Sequence, residues 1–94
     1  MPARELTLNV NVLDVGFHPS AWRSADLHPR SFVDVGYYRE VARIAERGTL
    51  DALFLADGSA IRDDPFQKPG RSLEPSVLLG AIATATEHLG LIAT

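Results

Sequence analysis

A chain of 94 residues is one domain or less, since an average domain needs roughly 100–150 residues. Hydrophobic residues at 46% and charged residues at 22% exclude disorder, while a net charge of −3 leaves no basic footprint for nucleic acid. The absence of cysteine excludes a disulfide framework, a thiolate zinc site and a cysteine nucleophile.

The N-terminus leads into an alternating segment, not an apolar signal core, and no apolar run approaches the ~20 residues that span a bilayer. A cytoplasmic protein without a membrane segment is expected.

Residues 6–13 alternate, with Leu6, Leu8, Val10 and Val12 on one face and Thr7, Asn9 and Asn11 on the other. Period 2 predicts a strand, and its polar, uncharged second face suits an enclosed, hydrogen-bonded environment. Residues 14–33 have no period and hold Gly16, Pro19 and Pro29, which predicts a loop long enough to need a reason. Residues 34–47 carry Tyr38, Val41, Ala42 and Ala45 at helical spacing, with Asp34 as N-cap and Gly48 as the C′ residue.

Residues 50–56 are apolar apart from Asp51, the pattern of a strand covered on both faces in a parallel sheet. An irregular stretch, 59–73, follows. A second helix is predicted over 75–89, with Pro75 at its first position and Gly90 just past its end. Leu78, Ala81, Ile82, Ala85 and Leu89 form its stripe; Val77, Leu79 and Ala83 lie beside it. Residues 91–94 begin a third strand. No internal repeat of fixed period stands out.

Strand and helix alternation means βαβ units, parallel pairing and strands adjacent in the order 1-2-3. Each helix is expected to return to the next strand through one or two residues, so the long loops collect at the carboxyl ends of the strands, the edge where α/β proteins bind ligands. Three strands and two helices cannot close a barrel, so the chain is expected to pair with a copy of itself or to form the front of a larger fold.

Neither G-x-G-x-x-G nor G-x-x-x-x-G-K occurs, and the nucleophile elbow is incomplete at Asp57-Gly58-Ser59-Ala60. His18, His28 and His88 share no metal-ligand spacing, and His88 is expected in the last turn of the second helix. Asp63-Asp64 reads as solvated. Asp57 follows a buried strand directly on the ligand edge, where it serves either as a turn cap or as a ligand contact. His18, Trp22 and Arg23 share the first long loop on that edge. Together they suit an anionic aromatic ligand, or they pack the loop onto the fold.

Tyr37-Tyr38, Ala42-Arg43-Ile44-Ala45-Glu46-Arg47-Gly48 and Leu50-Asp51-Ala52-Leu53-Phe54-Leu55-Ala56-Asp57-Gly58 together resemble the front of the bacterial-luciferase-like flavin-dependent monooxygenases. The branch it is most similar to is that of nitrilotriacetate monooxygenase, dibenzothiophene-sulfone monooxygenase and pristinamycin IIA synthase. Gly16-Phe17-His18 with Ala21-Trp22-Arg23 resembles that branch's first loop. Arg71-Ser72-Leu73-Glu74-Pro75 resembles its lead into the second helix, and Gly90-Leu91-Ile92-Ala93-Thr94 its third strand.

The resemblance implies that residues 1–94 are the first three strands of a (β/α)8 TIM barrel of roughly 250 residues in its plain form. It implies a two-component monooxygenase in which a separate flavin reductase supplies reduced FMN for O2 chemistry on a small organic substrate. It carries over Asp57 and Thr94 as cofactor contacts and His18, Trp22 and Arg23 as substrate contacts. The usual phosphate-binding loops belong to later strands, so the isolated 94 residues are expected to be inactive; a homo-oligomer is also expected. The alternative is a truncated, non-catalytic βαβαβ relic that self-associates or acts as an interaction module.

Overall fold

The computed structural model describes residues 4–13, 16, 18, 20–23, 28, 30–57 and 73–93. Its strands are β1 (Asn9–Asn11), β2 (Ala52–Leu55) and β3 (Gly90–Ala93), and its helices are α1 (Val35–Arg47) and α2 (Pro75–Ala83). Two 3-10 turns, Ala21–Arg23 and Ser31–Val33, lie between β1 and α1. The three strands form one parallel sheet in the order β1-β2-β3, the arrangement that the alternation of elements predicts.

The register sorts the side chains. Val10, Leu53 and Leu91 are aligned across the sheet on one face. Successive strand residues point to opposite faces, so Asn11, Phe54 and Ile92, also aligned, point the other way. Both helices pack on the first face. There Leu53 and Leu55 meet Tyr38, Ala42 and Ala45 of α1 and Leu78, Leu79 and Ile82 of α2, joined by Leu89. Leu79, expected beside the stripe, is therefore a core residue, whereas Val77 is 74% exposed.

Neither helix packs on the second face, although Ala52 is buried there. Asn9, Asn11 and Ile92 are exposed there and Phe54 is half-buried. The expected enclosure of the polar face of β1 is thus not met within these residues, because both helices lie on the other side, whereas β2 is buried at Ala52 on one face and at Leu53 and Leu55 on the other.

β1 is shorter than residues 6–13. It is an edge strand with one neighbour, and that neighbour has only four residues. Pairing runs from Leu8, whose carbonyl accepts from Asp51 N–H at 2.8 Å, to Val12, whose N–H donates to the Phe54 carbonyl at 3.0 Å. Asp51 also takes the Leu8 N–H on its carboxylate at 2.7 Å. Leu6, beyond this pairing, is 83% exposed.

Asp34 caps α1 as expected, its carboxylate accepting from Gly36 N–H at 2.8 Å. The far end differs. Gly48 keeps φ −75°, and Thr49 takes the left-handed position at φ 61°. Leu50 N–H donates to the Ala45 carbonyl and Thr49 N–H to that of Glu46, which is the Schellman pattern with Thr49 at C′. A β-branched residue is strained there. Thr49→Gly should therefore stabilise the chain by about 1 kcal/mol, read as a higher urea midpoint.

α2 starts where expected. Pro75 is first, and the Glu74 carboxylate accepts from Val77 N–H at 2.8 Å and from the Ser76 hydroxyl at 2.6 Å. The Ser76 hydroxyl, then the N–H groups of Val77 and Ser76, hold the Glu74 carboxyl below the usual range. The helix ends at Ala83, however, not at residue 89, and residues 84–89 form a turn-rich connection. His88 is consequently not in a helix.

The cause lies on α1. One Glu46 carboxylate oxygen accepts from the N–H groups of Glu87 (2.9 Å), His88 (2.8 Å) and Leu89 (2.8 Å), so those groups do not continue the helix. At the strand end, a Cβ on Gly90 would lie 3.0 Å from the Asp51 carbonyl oxygen, the atom that accepts the Gly90 N–H at 2.8 Å. Only glycine lets β3 close on β2 this tightly.

These bonds hold the Glu46 carboxyl below the ordinary glutamate range, the His88 N–H contributing most, then Leu89 and Glu87. A carboxylate with a depressed folded pKa stabilises the fold above its unfolded pKa and loses that contribution as pH falls through the folded value. Thermal melts from about pH 6 down to pH 3 should therefore fall more steeply for the wild type than for Glu46→Gln. At neutral pH the variant should melt lower than the wild type. Parallel pH profiles for the two proteins would contradict this role for Glu46.

Candidate functional site at the carboxyl edge of the sheet

Parallel strands place all their carboxyl ends on one edge. Asp57 lies there, two residues beyond β2 and exposed. The loop that leaves neighbouring β1 rises from the same edge and carries His18, Trp22 and Arg23. The topology thus brings Asp57 to one side of the sheet with the first loop, as the order of elements predicts. Thr94 lies outside the described residues, as do the Gly58 and Ser59 that follow Asp57.

The first loop is built from short local bonds. Gly16 N–H donates to the Leu13 carbonyl at 2.9 Å, turning the chain as β1 ends. Gly16 has φ +146°, and a Cβ there would meet the Ala21 side chain at 3.0 Å. Glycine is required both by the backbone angle and by that approach, which brings the 3-10 turn Ala21–Arg23 back against Gly16. In this turn Ala21 is half-buried and Arg23 exposed.

Two His-Pro dipeptides ten residues apart, His18-Pro19 and His28-Pro29, make the same turn twice. The His18 carbonyl accepts from Ala21 N–H at 2.9 Å, and the His28 carbonyl from Ser31 N–H at 3.0 Å. Each imidazole Nδ1 accepts the N–H two residues on, from Ser20 and from Arg30, both at 3.1 Å. The doubled dipeptide is the signal for this pair, and a search for fixed-period repeats passes over it.

The second turn is packed. Ser31 and Phe32 are buried, and the buried Tyr38 hydroxyl donates to the Phe32 carbonyl at 2.7 Å. The Tyr37 ring meets that of Tyr38 edge-on, 5.2 Å between centroids. The end of the loop is thereby fastened to α1. Tyr38→Phe should cost about 1–2 kcal/mol by leaving the Phe32 carbonyl buried without this donor, measured as a lower urea midpoint with unchanged slope.

Phe54 escapes the sequence pattern as a candidate, because residues 50–56 read as uniformly covered. It is the penultimate residue of β2, half-buried on the open face between Asn11 and Ile92. The alternation of Asn9 and Asn11 on β1 is the clue to which face stays open. The row offers an aromatic and an aliphatic surface beside a carboxamide, just below the edge that bears Asp57. Among the described residues no cluster of three or more His, Asp or Glu side chains is placed to hold a metal, and no helix is long and apolar enough to cross a membrane.

No family model matches the sequence. It is 43% identical over 91 residues to nitrilotriacetate monooxygenase component A of Aminobacter aminovorans, a match covering 84% of this chain and 20% of the relative. It is 36% identical over 91 residues to N-acetyl-S-(2-succino)cysteine monooxygenase of Bacillus subtilis, covering 97% and 21%. The pristinamycin IIA synthase of Streptomyces pristinaespiralis is 39% identical over 95 residues, covering 96% and 22%. The chain spans about one fifth of the length of these relatives. Over that fifth, it belongs to the luciferase-like monooxygenase family, in the branch of nitrilotriacetate monooxygenase, dibenzothiophene-sulfone monooxygenase and pristinamycin IIA synthase.

Proposed function

We propose that this chain is the front of a (β/α)8 barrel monooxygenase that uses reduced FMN and O2 on a small organic substrate, the flavin being supplied by a separate reductase. The observation that carries the reading is the parallel β1-β2-β3 sheet with its first long loop and Asp57 on one edge, in a sequence whose relatives are named monooxygenases. The open face of the sheet, with Asn9, Asn11, Phe54 and Ile92, becomes the inner wall of the barrel, covered by the later strands. The complete protein is a cytoplasmic homo-oligomer in this reading.

The described residues fit the ring end of a flavin. Phe54 and Ile92 present apolar surface for a flat heteroaromatic ring, and the Asp57 carboxylate is an acceptor for a ring N–H or a ribityl hydroxyl. They do not include a glycine-rich phosphate cradle, which this reading places on later strands. When bound, the reduced flavin supplies the electrons that activate O2. The chain's own part is to hold the ring against β2 and β3, to keep water out with the first loop, and to orient the substrate through His18, Trp22 and Arg23.

The named relatives act on nitrilotriacetate and N-acetyl-S-(2-succino)cysteine, and the His18 and Arg23 pair suits acidic molecules of that kind. The test is an anaerobic titration of the protein, at the relatives' full length, with reduced FMN. Saturable binding of one flavin per chain is expected, and no binding would refute the proposal.

A further inference from the structure

We infer that Asn11 fixes the direction in which the flavin ring lies: its carboxamide pairs with the imide edge of the ring, which puts the pyrimidine end at β1 and the dimethylbenzene end at β3. The inference rests on the monooxygenase reading and adds to it an orientation and the residue that imposes it.

The parallel register sets Asn11, Phe54 and Ile92 side by side on the face where neither helix packs. Asn11 and Ile92 are exposed there and Phe54 is half-buried. Neighbouring strands lie about 4.8 Å apart, so the row spans roughly 10 Å from β1 to β3, close to the long axis of a fused tricyclic ring. Its chemistry changes along that length, from a carboxamide through an aromatic ring to a branched aliphatic chain. The flavin ring system changes in the same order. One end carries two carbonyls with an N–H between them, and the far end is a benzene ring with two methyl groups. Matching polar to polar and apolar to apolar leaves one direction. In the reverse direction the imide would meet Ile92, which has neither donor nor acceptor. Methyl groups would then cover the Asn11 carboxamide, and a covered carboxamide without a partner is costly.

A carboxamide suits the imide edge because it holds a donor and an acceptor side by side. It gives an N–H to a ring carbonyl and takes the ring N–H on its oxygen. Asn9 is the contrast. It has the same side chain on the same face two residues earlier, but its row partners are Ala52 and Gly90. They offer one methyl group between them, so a ring has nothing to lie on there. The orientation also assigns the partner of Asp57. Asp57 follows the middle strand and the ribityl chain leaves the middle ring, so a ribityl hydroxyl falls to Asp57 while Asn11 holds the ring N–H.

The test is anaerobic equilibrium binding of two flavins, reduced FMN and its N3-methyl derivative, to the protein at the relatives' full length. The added methyl removes the imide N–H and leaves the dimethylbenzene end untouched. The wild type should bind the derivative about tenfold less tightly. Asn11→Leu keeps the shape of the side chain without its donor and acceptor. It should bind reduced FMN more weakly than the wild type, and the two flavins within about twofold of each other. Asn9→Leu should keep the wild-type preference.

Should Asn11→Leu fail to fold, Asn11→Ala takes its place with the same expectation. Equal binding of the two flavins by the wild type overturns the inference, as does an undiminished preference in the Asn11 variant; flavin binding itself stands in both cases. A wild-type protein that does not bind reduced FMN overturns the monooxygenase reading, and the inference with it.

Discussion

Replacing Leu53 by alanine should destabilise the chain by about 2–5 kcal/mol. The residue is the centre of the central strand, 1% exposed, and it belongs to the cluster that joins α1, α2 and the sheet. Truncation removes the buried methyl groups and leaves a cavity that three separate elements would have to move to fill. A domain of this size is stable by only about 5–15 kcal/mol, so the loss is a large fraction of the whole. Urea denaturation measures it. Leu6→Ala, at a side chain 83% exposed, should shift stability by less than about 0.5 kcal/mol in the same experiment. Equal effects at the two positions would mean that Leu53 does not hold the sheet to its helices.

Much of this architecture is legible in local patterns. The strand and helix periods, the Asp34 cap and Pro75 at the start of α2 are short-range signals, and the structure has each of them. Parallel order follows from the alternation of elements. The larger differences arise from contacts distant in sequence. The apolar spacing of α2 runs on to Leu89, yet the helix stops at Ala83 because Glu46, 41 to 43 residues earlier, takes the N–H groups of residues 87–89. By pattern alone, Glu46 is one more charged residue on the polar side of α1. The connection into β3 is longer than one or two residues for the same reason.

Alternation overstates the extent of β1, because it marks a strand's faces and not how many partners the strand finds. Residue type assigns the left-handed position to Gly48, and Thr49 occupies it because the 45–50 and 46–49 hydrogen bonds place that turn one residue later. Of the candidate site, the shared edge is legible through loop placement. The half-exposed setting of Phe54 is not, since it depends on the side to which both helices pack.

The second large effect concerns Asp57, and it bears on whether the carboxyl edge of this sheet binds flavin. Ala52, Leu53 and Leu55 are buried, so β2 is held rigidly, and a residue placed at its end is positioned better than one on a long loop. A carboxylate that a bound ring covers needs hydrogen-bond partners in place of the water it loses. In the proposed site a flavin N–H or ribityl hydroxyl is one such partner. The most direct measurement pairs two readings of Asp57→Ala in the protein at the relatives' full length: affinity for reduced FMN under anaerobic conditions and the melt of the flavin-free form. The account predicts an affinity lower by about tenfold, roughly 1.4 kcal/mol, with the flavin-free melt unchanged. Unchanged affinity together with a lower melt would make Asp57 a turn cap and contradict the flavin assignment.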